Sequence, residues 1–189
     1  MKRSEVWYFP KAGPENTQAC LELLDKALAE GYRQVVAAST TGDSGVQAAR
    51  RLSGREVNLV VVGHSVGFKG PNIDEFLEDH YREITRLGGR VLKATILTHS
   101  LETSIADQFK GSAPTLLIAN TLRRLGQGLK VCCEIVMEAV DAGLIPEGEE
   151  VVAVGGTARG WDTVALIRSA ASKRFMKLTV LEIWAKPRG

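Results

Sequence analysis

Gln34-Val35-Val36-Ala37-Ala38-Ser39-Thr40-Thr41-Gly42-Asp43-Ser44-Gly45-Val46 decides the fold, because in it a buried strand passes straight into an amphipathic helix. Residues 34–38 form a short apolar run. After the turn, Val46, Ala49 and Leu52 recur at helical spacing with Gln47, Arg50 and Arg51 between them. A helix that starts this way leaves its first N–H groups unpaired, and its dipole adds positive potential at the same place. With the hydroxyls of Ser39, Thr40, Thr41 and Ser44 alongside, and Gly42 allowing close approach, a phosphate is the natural guest. The plainer alternative is a capped helix start, with Asp43 or Ser44 as the N-cap.

The same strand, turn and helix grammar recurs outward from this stretch. Val6 to Phe9 reads as a strand stopped by Pro10, followed by a helix opened by Asn16 and closed by Gly31. Residues 58–62 read as a strand ending in Gly63-His64-Ser65-Val66-Gly67-Phe68. Asp74 caps a helix that turns Leu77, Tyr81, Ile84 and Leu87 inward, and residues 90–97 form a fourth strand. A short helix begins near Leu101, and residues 115–125 and 129–142 form two more helices split by Gly126-Gln127-Gly128. The second of these buries Val131, Cys132, Ile135, Val136, Ala139 and Val140. A fifth strand, 151–154, leads into Gly155-Gly156-Thr157-Ala158-Arg159-Gly160-Trp161-Asp162-Thr163, and the strands 164–167 and 178–184 close the chain. Alternating strands and helices predict a three-layer α/β domain with a mostly parallel sheet and additional C-terminal strands, one domain over residues 1–189.

Composition narrows the function. Lys plus Arg number 24 against 22 for Asp plus Glu, with no basic block interleaved with aromatics, so no nucleic-acid partner is expected. No apolar run reaches membrane-spanning length, and Met1 to Glu5 lead directly into a strand, which predicts a cytoplasmic chain with no membrane partner. Cys20, Cys132 and Cys133 lack metal-ligand spacing, so no metal site is expected and buried thiols are favoured over disulfides. The oligomeric state stays open, a homo-oligomer included.

Ligands of such sheets sit beyond the carboxyl ends of the strands, so the turns at 39–45, 63–68 and 155–163 belong on one rim. Arg159 is placed to clamp a phosphate and Trp161 to cover a flat or sugar-like group, against the alternative of a solvated Arg and a packed Trp. His64 and His99 follow strands and suit a ligand contact or an acid–base role, whereas His80 reads as ordinary helix surface or a partly packed residue. Asp43 and Asp162 bind a hydroxyl or cap a helix. No G-x-S-x-G or H-E-x-x-H pattern is present, and a binding site fits better than a catalytic one.

Thr40 to Leu52, together with Glu149 to Gly156 and Gly160 to Thr163, resembles the phosphate loop and effector loop of the pyruvate kinase C-terminal domain. Phe9 to Thr17, Gly126 to Glu134 and Val151 to Gly156 are similar to a group of small stand-alone proteins with that domain's fold. The resemblance implies a cofactor site for flavin mononucleotide (FMN), a phosphorylated small molecule. Its contacts would come from Ser39, Thr40, Thr41, Gly42, Asp43, Ser44, His64, Gly67, Phe68, His99, Gly155, Gly156, Thr157, Arg159, Gly160, Trp161, Asp162 and Thr163. Asp43 departs from the enzyme's pattern, where a basic residue is common, so the phosphate would sit slightly aside or another guest would bind. The barrel that holds the kinase's substrates has no counterpart, so pyruvate kinase activity is not implied. A flavin-dependent oxidoreductase or a phosphometabolite-processing enzyme using His64 or His99 is the alternative.

Overall fold

The computed structural model describes residues 3–188, so Met1, Lys2 and Gly189 lie outside the described residues. Its strands are β1 (Trp7–Phe9), β2 (Gln34–Ala38), β3 (Asn58–His64), β4 (Arg90–Ala94), β5 (Glu150–Gly155), β6 (Thr163–Arg168) and β7 (Thr179–Pro187). They join in one seven-stranded sheet of order β1-β7-β6-β5-β2-β3-β4. Only β6 among these runs antiparallel to its neighbours, β5 and β7. The fold is thus a mixed α/β architecture with a mostly parallel sheet flanked by helices.

The described residues also form six α-helices: α1 (Thr17–Ala29), α2 (Asp43–Leu52), α3 (Glu78–Arg86), α4 (Leu101–Phe109), α5 (Pro114–Arg123) and α6 (Gln127–Asp141). Alternate residues of the central strands point to opposite faces. Val35, Ala37, Leu59, Val61, Val152 and Val154 pack against Cys20, Leu24, Val46, Ala49 and Ile84 from α1, α2 and α3. Val36, Val60, Val62, Val151 and Ala153 pack against Leu129, Cys132, Ile135 and Val136 of α6. Because both faces are covered, these strands read as continuous apolar runs. All three cysteines are free and buried in this packing. Burial pushes the Cys20 and Cys133 thiols up to about 12 and raises Cys132 as well.

Two expectations fail in the segment after β3. Asp74 does not cap α3: its Oδ1 accepts the Phe76 N–H and its Oδ2 pairs with Lys93 Nζ at 2.5 Å, and the helix begins later, at Glu78. Of the four residues expected to face inward, Ile84 is fully buried and Leu87 packs against the core, but Leu77 and Tyr81 are exposed. The Tyr81 ring instead lies beneath the Lys93 ammonium at the sheet edge. The fourth strand also ends sooner than expected, at Ala94, which leaves residues 95–100 as a loop.

Candidate functional site

The strand register brings the carboxyl ends of β2, β3 and β5 side by side, and a cavity of about 630 Å³ opens above them. Its walls include Ser39, Thr40, Thr41, Asp43 and Ser44 after β2, with His64 and Phe68 after β3. Gly156, Arg159 and Gly160 after β5, and His99 from the loop beyond β4, complete this side. Parallel strands explain the convergence: their carboxyl ends share one rim, however distant in sequence.

Neither Asp43 nor Ser44 is the N-cap of α2; that position is Gly42, at φ 93°. A side chain there would be strained by this conformation, and a Cβ would sit 2.5 Å from the His80 Cβ. Ser39, from before the turn, supplies the capping oxygen, its Oγ accepting the Gly45 N–H at 3.2 Å. The N–H groups of Asp43 and Ser44 meet no acceptor among the described residues. They are the helix's available anion donors. Asp43 Oδ2 accepts from Gln47 Nε2 at 3.2 Å. The Thr41 carbonyl accepts from Leu77 N–H and contacts His80 Nδ1, so α3 holds this loop and His80 has a structural task.

Across the rim, Arg159 reaches Thr41, with Nη1 3.5 Å from Oγ1, although 118 positions separate them. The rest of the 155–163 turn serves packing more than the cavity. Trp161 is 0% exposed and its Nε1 donates to the Ala38 carbonyl at 2.7 Å, so the ring belongs to the core and does not cover a ligand. Asp162 is equally buried and accepts from the N–H groups of Gly13 and Thr157 and from Thr163 Oγ1. It therefore fastens the turn to the loop after β1 and is not placed to bind a ligand hydroxyl. The Thr157 N–H and the Thr163 hydroxyl are committed to this carboxylate. Gly155 lies against α6, where a Cβ would come 2.9 Å from the Gly128 carbonyl, and Gly67 closes a turn through Ile73 O. Gly42, Gly67, Gly155, Thr157, Trp161, Asp162 and Thr163 thus shape the rim without lining the cavity.

His64 Nδ1 lies 3.0 Å from Glu75 Oε2, and the Phe68 ring packs against the imidazole with centroids 4.7 Å apart. The carboxylate assigns the proton to Nδ1, and Nε2 meets no partner among the described residues. This partner is absent from the sequence reading because Glu75 returns to His64 only through the fold of residues 65–77.

A second group of polar residues escapes the sequence reading altogether. Lys130, Glu134 and Glu138 recur at four-residue spacing on α6, are 3%, 4% and 7% exposed, and line the cavity with Arg123 and Gln127. Lys130 Nζ pairs with Glu134 Oε2. Glu134 Oε1 accepts the Thr98 N–H at 3.1 Å and the Thr98 hydroxyl at 2.5 Å. Arg123 Nη2 lies 3.1 Å from His99 Nε2, which makes that nitrogen the acceptor and places the proton on Nδ1, 2.7 Å from Thr98 Oγ1. Burial, with the nearby Lys130 and Arg123 cations, holds the His99 pKa below its ordinary value, consistent with this neutral tautomer. Burial and the adjacent Glu134 push the Glu138 carboxyl up to about 8. The signal in sequence was the i, i+4, i+8 repeat of long polar residues, a pattern that also describes a solvated helix face.

Comparison with solved structures finds Cryptosporidium parvum pyruvate kinase at TM-score 0.41 and 11% identity, over 85% of this chain and 24% of that one. The same enzyme in complex with ADP matches at TM-score 0.42 and 13% identity, over 86% and 25%. The chain spans about a quarter of the length of those enzymes. No known family model matches it. Among the described residues, no helix is long and apolar enough to cross a membrane.

Proposed function

We propose that the chain is a binding module for a phosphorylated small molecule, with FMN the first ligand to test. The observation that carries this reading is one cavity wall. There the Asp43 and Ser44 N–H groups, the Ser39, Thr40, Thr41 and Ser44 residues and the Arg159 guanidinium come together. Such a wall supplies fixed donors and positive charge to a phosphate. The cavity volume lies within the range of small-molecule sites. The resemblance of residues 40–52, 149–156 and 160–163 to the pyruvate kinase C-terminal domain, and of the chain to small stand-alone proteins with that domain's fold, supports the same reading. Asp43 disfavours an anion directly over it and moves the preferred phosphate position toward Arg159.

Calorimetric titration of the purified protein with FMN, riboflavin and inorganic phosphate tests it. FMN is expected to bind much more tightly than riboflavin, with Thr41→Ala costing about 1–2 kcal/mol. Arg159→Lys, which keeps the charge and loses the planar fork, weakens binding as well. Equal affinities for FMN and riboflavin, or unchanged affinity in both variants, overturn the proposal.

A second reading, a catalyst acting on the same ligand class, draws on the His64–Glu75 pair, in which His64 lines the cavity and its Nε2 has no partner among the described residues. His99 is less suited, since Arg123 occupies its Nε2. Turnover lost in His64→Ala with flavin still bound stoichiometrically would select this reading.

A further inference from the structure

The cavity wall supplied by α6 lies across the sheet from the one supplied by α2, and phosphate binding leaves its chemistry unused. Burying charged side chains is costly unless they are paired or put to use. Here the acceptors are already satisfied. Glu134 takes the Lys130 ammonium and both donors of Thr98, and His99 Nε2 takes Arg123. The donors are not. Arg123 touches only neutral acceptors among the described residues, namely Gln127 Oε1, Asn120 Oδ1 and His99 Nε2. Lys130 carries three N–H groups, and its pairing with Glu134 leaves others free to turn to a guest. Glu138 receives the Leu97 N–H and, being protonated at neutral pH, offers an O–H.

We infer that the α6 wall recognises an oxygen-acceptor head group, a carbonyl or carboxylate, at the end of the ligand away from its phosphate, with Arg123, Lys130 and Glu138 as donors. This inference rests on the phosphorylated-ligand reading and adds to it the second half of the ligand. The site then selects phosphorylated molecules that carry carbonyl-type oxygens over phosphorylated polyols of the same length. Charge agrees: one cation, Lys130, is balanced by Glu134, and Arg123 has no carboxylate partner among the described residues.

The test compares two probes on the intact protein, FMN and ribitol 5-phosphate, which keeps the phosphate and polyol and lacks the carbonyl-bearing ring. FMN is expected to bind more tightly. Arg123→Met weakens FMN by at least about tenfold and leaves ribitol 5-phosphate unchanged. The groups around Glu138 are Glu134, Lys130 and Asp141 on its own helix, the Leu97 N–H, and His99 and Arg123 on the same cavity. As pH rises past about 8, Glu138 ionises and repels ligand oxygens, so FMN affinity falls there. Glu138→Gln, which keeps a donor and cannot ionise, abolishes that fall. If both probes bind and neither variant alters their ratio or the pH profile, the inference is overturned while the phosphate reading stands. Equal weakening of both probes by Arg123→Met also overturns it, since the residue then acts on the phosphate or the fold. If neither probe binds the unaltered protein, the phosphate reading fails and the inference falls with it.

Discussion

At Trp161 the indole N–H donates to the Ala38 carbonyl, so the ring joins the turn after β5 to the end of β2 beneath the cavity. A tryptophan in a glycine-rich turn has the same composition whether it faces a ligand or the core, and only the packing around it separates the two. Here the Thr17 hydroxyl accepts the Trp161 backbone N–H at 3.0 Å, which pulls the residue inward onto α1. Trp161→Ala is expected to cost about 3–5 kcal/mol of stability in denaturant unfolding, the amount typical of a large buried aromatic. Wild-type stability in that variant would contradict the core assignment. His64 teaches the same lesson in reverse, because its carboxylate partner, Glu75, lies eleven positions away across a turn. Sequence spacing carries no information about such a pair.

The apolar periodicity of β2, β3, β5 and α1 makes them legible in the sequence, since strands covered on both faces and helices with one buried stripe have distinct patterns. The short α3 is poorly legible because Ile84 alone anchors it deeply, while Leu77 just before it and Tyr81 within it keep the apolar spacing and yet are exposed. On α6 the apolar stripe was legible and the polar stripe beside it was not. Lys130, Glu134 and Glu138 look like solvent-facing residues until the loop at 97–99 is seen to fold over them. Their burial has a measurable signature. The Glu138 carboxyl binds its proton up to about pH 8 in the folded chain, against 4.5 for the ordinary group. Between those values the folded state holds more protons than the unfolded one, so stability falls as pH rises through this window, by at most about 1.4 kcal/mol per pH unit. Glu138→Gln removes this contribution. Unfolding free energies of the two proteins measured from pH 5 to about 8 should diverge steadily in the variant's favour, and parallel curves would show that the carboxyl is solvated.

Across the whole molecule, the two core layers sequester each of the three cysteines. Thiol reagents added to the native protein at neutral pH are therefore expected to label none of them until denaturant is present, because burial suppresses both access and thiolate formation. Rapid labelling of the native protein would place Cys132 or Cys133 at a surface. The pairing of Trp7 with Ala185 and Phe9 with Pro187 has a different kind of consequence, one of timing. β1 is made before the other strands of this sheet and, among the described residues, pairs with β7 alone, so during synthesis it must wait, unpaired, while the rest of the sheet is assembled. Long-range strand pairing of this kind slows folding, because loop closure comes before any reward in contacts. Within this sheet, the strand made earliest is then among the last to be seated.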